Sequence, residues 1–86
     1  MTSSGAKAAE VLAVDVWFDA HMLYMRLNDG REVGVPLEWF PPLRRATDMQ
    51  RGNWRLIGNG VGIHWEDIDE DISVAGLLMA NRAGVR

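Results

Sequence analysis

Cysteine does not occur anywhere in the 86 residues. Its absence excludes disulfide bridges and a thiolate zinc site, so no covalent or metal staple supplements the core. It also permits a reduced setting, and the location we expect is cytoplasmic. No apolar run approaches the roughly 20 residues that a membrane span requires, so no membrane insertion is expected. The opening segment, MTSSGAKAAE, has no long apolar stretch behind its lysine and reads as no secretory signal. Basic charge is short as well: 9 Lys and Arg stand against 12 Asp and Glu, a net charge of −3. That balance disfavours general affinity for a nucleic-acid backbone, although it leaves room for a local basic patch.

Nucleophiles are scarce too. Beyond the N-terminal segment only Thr47 and Ser73 carry an aliphatic hydroxyl, and both stand where a helix cap is wanted. One capping serine cannot build a Ser-His-Asp triad. The carboxylate pairs Asp29/Glu32 and Glu66/Asp67 are local and exposed, without the environment that shifts a catalytic pKa. The expectation is therefore a protein that is not an enzyme, with no catalytic residue, no cofactor and no resident metal.

What the chain does contain is apolar material: 48% of its residues, including four Trp and five Met. That suffices for one core, although a chain of this length buries only about 60% of the surface its unfolded form exposes. Residues 1–9 read as a flexible tail and residues 10–86 as a single α+β domain. Leu12, Val14, Val16 and Phe18 share one parity, the mark of a strand face. Asp19-Ala20 suits a tight turn. Leu23, Met25 and Leu27 then alternate with Met22, Tyr24 and Arg26. Asp29-Gly30 predicts a type I′ hairpin turn, and Val33, Val35 and Leu37 return on one face. The result is a three-stranded antiparallel meander, one face of it covered by helices.

Pro36 ends the third strand or lies at its edge. In Leu37 to Ala46 the Pro41-Pro42 pair must open a helix or split the segment in two. Thr47 with Gln50 matches a capping box, predicting a helix from Asp48 to Trp54. Leu56, Ile57, Val61 and Ile63 suggest a short extended segment broken by Gly58, Gly60 and Gly62. Ser73 is the N-cap of a last helix that turns Val74, Leu77, Leu78 and Met79 to the core. Gly76 weakens that helix unless close packing requires it, and Gly84 falls where it would stop. The fold class expected is α+β: the meander plus a short extended segment, packed against two or three short helices.

Three constellations invite a functional reading. Asp67, Asp69 and Asp71 have the spacing that opens a calcium loop, but the required Gly and Glu positions hold Ile72 and Leu78. Together with His64 and Trp65 they form an alternative ligand site, for a small molecule or a metal; the plainer reading is a solvated acidic loop before a helix. Gly58, Gly60 and Gly62 give G-x-G-x-G rather than the dinucleotide pattern G-x-G-x-x-G, so backbone shaping is preferred to phosphate binding. The middle of the chain gathers Trp39, Phe40, Arg44, Arg45, Arg51, Trp54 and Arg55, with Arg51 and Arg55 sharing a face if the helix reaches Trp54. Trp and Arg are enriched at protein interfaces. Trp39, Arg44, Arg51, Trp54 and Arg55 are therefore the candidate partner-binding residues, set against a reading as core Trp and solvated Arg.

The run W-x-L-I-G-x-G-x-G-I-H-W-x-x-x-D-E-D-I-S-V-x-G-L-L from Trp54 to Leu78 resembles the bacterial domain-of-unknown-function 2442 family. The D-G-R hairpin, the V-P-L-x-W-F-P-x-L junction and the Q-R-x-N-W segment are similar to it too, and the likeness extends from about Val11 to Leu78. Many members carry Pro after the His-Trp pair, where this chain has Glu66. The resemblance implies a small α+β fold on an antiparallel sheet and brings no established activity. Some members carry an additional helix-turn-helix region, for which this chain is too short. Others are encoded beside a second small domain, an arrangement resembling toxin–antitoxin pairs. The function expected is a non-enzymatic interaction or regulatory module, antitoxin-like, that binds a small partner protein encoded by an adjacent gene. A homodimer is the further partner considered. The alternatives are the ligand site at His64–Asp71 and a nucleic-acid-associated regulator.

Overall fold

Alternation builds the first half of the molecule. The computed structural model describes residues 10–84; the expected flexible tail, residues 1–9, lies outside the described residues, as does the chain beyond Gly84. Strands β1 (Ala13–Phe18), β2 (Met22–Leu27) and β3 (Glu32–Pro36) form an antiparallel sheet in the order β1-β2-β3. Leu23, Met25, Leu27 and Val35 are buried, with Tyr24, Arg26, Glu32 and Gly34 on the opposite face. Pro36 ends β3, where its missing N–H interrupts nothing.

The structure departs from two local expectations. The face Leu12, Val14, Val16, Phe18 does not exist as such, because a bulge shifts the β1–β2 register between Ala13 and Asp15. The extra residue reverses parity, so Ala13 and Val16 face the core while Val14 turns out. The β2–β3 turn is not type I′ either. That turn needs positive φ at both central residues, and Asp29 has none. Instead the Gly30 N–H donates to Leu27 O at 2.9 Å and Gly30 follows at φ 95°. The Asp29 carboxylate accepts from the Arg31 N–H and from its guanidinium, which holds its pKa below the usual carboxylate range.

The prolines split the next segment. Leu37–Trp39 forms a 3₁₀ turn, and helix α1 (Pro41–Arg44) starts with both prolines in its first turn, where their missing donors cost no hydrogen bond. The capping box forms as read: the Gln50 N–H donates to Thr47 Oγ1 and the Thr47 N–H to Gln50 Oε1. Helix α2 (Asp48–Gly52) nonetheless ends before Trp54. Arg51 and Arg55 therefore share no helix face.

Trp54 opens a second sheet. Strands β4 (Trp54–Ile57), β5 (Gly62–Trp65) and β6 (Glu70–Ser73) are antiparallel in the order β4-β5-β6. The extended segment expected after Trp54 is thus a hairpin, closed by a 3₁₀ turn at Gly58–Gly60, and Glu70–Ser73 adds a third strand that alternation did not announce. Ile63, Trp65 and Ile72 join Ala13, Val16, Leu23, Met25, Leu27 and Val35 in one core cluster, together with Leu37, Leu43, Val74 and Leu77. The meander is covered by this second sheet as well as by helices, with the Phe18 ring edge-on to Trp65 at 6.3 Å.

Helix α3 (Val74–Gly84) starts on the expected cap, the Gly76 N–H donating to Ser73 Oγ at 3.1 Å. Val74 and Leu77 are buried, but Met79 is 64% exposed and does not face the core. Gly76 is not enforced by close packing, since a Cβ there would meet only Ser73, at ordinary contact distance. Among the described residues no helix is long and apolar enough to cross a membrane.

Candidate functional site

The outer face of the second sheet carries a row of charge. Arg55, His64 and Asp71 are register partners across β4, β5 and β6. Period-2 alternation puts them on the side opposite Ile63, Trp65 and Ile72. His64 Nδ1 pairs with Asp71 Oδ1. Glu66, just past β5, brings Oε1 to 3.4 Å from His64 Nε2 and to 3.6 Å from Arg55 Nε. Only 14% of the His64 side chain is exposed, whereas its three neighbours are largely solvated. Flanked on both ring nitrogens, the imidazole works as a bridge between strands.

The rest of the expected ligand set does not assemble around it. Trp65 points the other way, fully buried, and donates its indole N–H to Arg51 O at 2.9 Å. Asp67 lies in the 3₁₀ turn Glu66–Ile68 and accepts from Asn53 Nδ2. Asp69 makes the left-handed residue that closes that turn, at φ 51°. Among the described residues no group of three or more His, Asp or Glu side chains is placed to hold a metal ion.

The candidate partner-binding residues are also dispersed, and for identifiable reasons. Arg51 is structural: its guanidinium donates to Leu43 O and Arg44 O, both at 2.9 Å, and lies over the Phe18 ring at 6.0 Å. It ties α1 and α2 to the core. Trp54 pairs across the sheet with Trp65 and packs against the core. Arg44 is exposed at the end of α1, and Arg55 is exposed on the outer face of β4. Trp39 is the exception, 41% exposed despite its size.

Trp39 marks a feature that sequence reading missed. With Phe40 it forms one wall of a cleft of about 340 Å³, whose other wall is Asp71, Ile72 and Ser73 of β6 with Gly76 and Leu77 of α3. No local pattern announces it, because its walls come from segments some thirty residues apart. The sequence singles out Trp39 and Gly76 separately, and no pattern joins them.

Acid charge is concentrated on the strand that walls this cleft, with Glu70 and Asp71 on β6 and Asp69 just before it. Burial pushes the Glu70 carboxyl above its ordinary pKa, and the neighbouring charges of Asp71 and Asp69 push it the same way. A carboxyl whose pKa rises on folding binds more protons in the folded state, so stability declines as pH rises through that interval. Glu70→Gln is therefore expected to raise the melting temperature at pH 7. The gain should shrink as the pH falls below about 4, where the wild-type carboxyl is protonated in both states. Thermal unfolding at the two pH values checks it; a gain that persists undiminished in acid would assign the effect to something other than charge.

Two three-stranded antiparallel sheets sharing a core with three short helices define a small α+β protein. Residues 13–83 match the family model described as "Protein of unknown function (DUF2442)", and the chain belongs to that family. The fold resembles the crystal structure of a protein of unknown function from Rhodospirillum rubrum ATCC 11170. That likeness has 29% sequence identity and a TM-score of 0.72, covering 83% of this chain and 88% of that one. A comparison with curated proteins finds no match.

Proposed function

We propose that this protein is a non-enzymatic interaction module, antitoxin-like or regulatory, that acts in the cytoplasm by holding a small partner protein in the cleft beside Trp39. The observation that carries this reading is the cleft itself: an exposed Trp and a half-buried Phe facing the end strand of a sheet across about 340 Å³. Large aromatic side chains set in such a recess are the usual anchors of an interface. Gly76 supports the reading. Neither packing nor a positive φ requires glycine there, and a side chain at that position would grow into the cleft.

Mutation probes the two walls of the cleft separately, at Trp39 and at Gly76. Co-expression with the product of the adjacent gene should yield a complex that survives purification. Trp39→Ala should weaken it by about 2 kcal/mol or roughly thirtyfold, the scale of an interface hot spot. Gly76→Leu should weaken it as well while leaving the isolated protein as stable or slightly more so, because leucine favours a helix over glycine by about 1 kcal/mol. Met49→Ala, at a highly exposed position on α2, serves as the neutral control. A complex indifferent to both cleft variants, or no complex at all, removes the basis for this function.

A further inference from the structure

Which backbone groups face the cleft follows from the ladder. Val74 donates its N–H to Val61 O at 3.0 Å, one step beyond the Gly62–Ser73 pair. Antiparallel pairs alternate between bonded and non-bonded. Ile63–Ile72 is therefore the next bonded pair, and His64–Asp71 and Gly62–Ser73 are non-bonded ones. The close approach of side chains in a non-bonded pair agrees with the His64–Asp71 contact. It also means that the N–H groups of Asp71 and Ser73, and the C=O of Asp71, point away from β5. Among the described residues no strand lies on that side, for β6 ends the sheet. Asp71 and Ser73 are the two β6 residues, with Ile72 between them, that line the cleft.

We propose that this free edge of β6 is a strand-addition site for an extended, basic segment of the partner, a conclusion that rests on the interaction-module reading above. Main-chain bonds to Asp71 and Ser73 supply the pairing, and alternate apolar side chains enter between Trp39, Phe40 and Leu77. This is the general logic of β-augmentation, in which the backbone gives affinity and side-chain recesses give specificity. The charge of the segment is set by the strand it joins. Asp69, Glu70 and Asp71 follow one another along the edge, and Asp69 and Glu70 make no ion pair among the described residues. Lysine or arginine at the outward-facing positions of the added strand lies beside Asp71, on the side of β6 opposite Ile72. A second copy of the chain offers no cation there, because Glu70 and Asp71 are the only charged residues of β6 itself; antiparallel pairing centred on Asp71 sets that carboxylate against its own counterpart, and like charges facing across strands destabilise the pair.

The test uses the full-length protein and three capped hexapeptides. The first alternates valine with lysine; the second replaces each lysine with glutamate. The third is the lysine peptide N-methylated at alternate residues, which removes donors without changing side-chain chemistry. The lysine peptide should bind at least tenfold tighter than either of the others, with the largest amide chemical-shift changes at Asp71 and Ser73. Its affinity should fall as salt rises. Equal binding of lysine and glutamate peptides overturns the charge assignment, and equal binding of the methylated peptide overturns strand addition. No binding of the lysine peptide at millimolar concentration, or a concentration-dependent dimer whose contact lies along β6, overturns the proposal as a whole. A partner complex that still depends on Trp39 and Gly76 after such a failure leaves the cleft as an interface and removes only its mode of recognition.

Discussion

Gly60→Ala is expected to leave little folded protein at room temperature. Gly60 sits at φ 115°, a conformation in which an L side chain is strained wherever it occurs, and such strain costs about 1–3 kcal/mol. The surroundings make matters worse. A Cβ there would lie 2.4 Å from Ala13 O and 3.0 Å from Ala13 N, so it collides with backbone that cannot rotate away. Either the Gly58–Gly60 turn or the start of β1 has to move, and both border the shared core. Against a total stability of about 5–15 kcal/mol for a domain, the loss is large. Gly52→Ala is the control: a Cβ at Gly52 meets nothing within 4 Å. Urea unfolding of the two variants checks the expectation. A midpoint for Gly60→Ala equal to that of the wild type would show that the close approach to Ala13 is not maintained in solution.

Trp65→Ala should be almost as damaging. Trp65 is the largest fully buried side chain, and removing a buried tryptophan costs about 3–5 kcal/mol. Two further contacts go with it: the edge-on packing of Phe18 and the hydrogen bond to Arg51 O. Trp65→Phe separates these effects. It keeps much of the apolar volume but deletes the indole N–H, leaving a part-buried carbonyl without its donor for about 1–3 kcal/mol. The order of stability expected in chemical denaturation is wild type, then Trp65→Phe, then Trp65→Ala. If Trp65→Phe matched the wild type, the indole bond would be incidental to the docking of α2.

The acidic stretch shows how one spacing serves three different structural ends. Asp67, Asp69 and Asp71 looked alike in sequence, yet each has a different task. Asp67 bonds Asn53, Asp69 supplies a left-handed turn residue, and Asp71 pairs with His64. Spacing of two suggested a common target only on the assumption of a single regular conformation. The 3₁₀ turn at Glu66–Ile68 breaks that assumption and sends the three carboxylates to different places.

Much of the local structure is legible in the sequence alone. Alternation located β2 and β3, the proline pair located the start of α1, and Thr47, Gln50 and Ser73 located two caps. Each of these rests on interactions within a few residues, which is why local pattern suffices. The parity of β1 was misread because Ala13 must meet Gly60, a residue forty-seven positions on, and the bulge that allows it leaves no local trace. Strand β6 was missed because Glu70–Ser73 carries two acids in four residues, a poor strand on propensity alone. It pairs only because β5 offers Ile63 and Trp65 for Ile72 to pack beside.

Composition and short-range chemistry alone thus determined the kind of protein this is: an α+β chain with no disulfides, a predominantly acidic charge and turns built from glycine, proline and capping hydroxyls. The tertiary structure alone decided that there are two sheets rather than one, and that Trp39 faces β6 across a cleft. Those outcomes depend on long-range burial of apolar faces, which selects among local alternatives of nearly equal energy and has no signature at any single position.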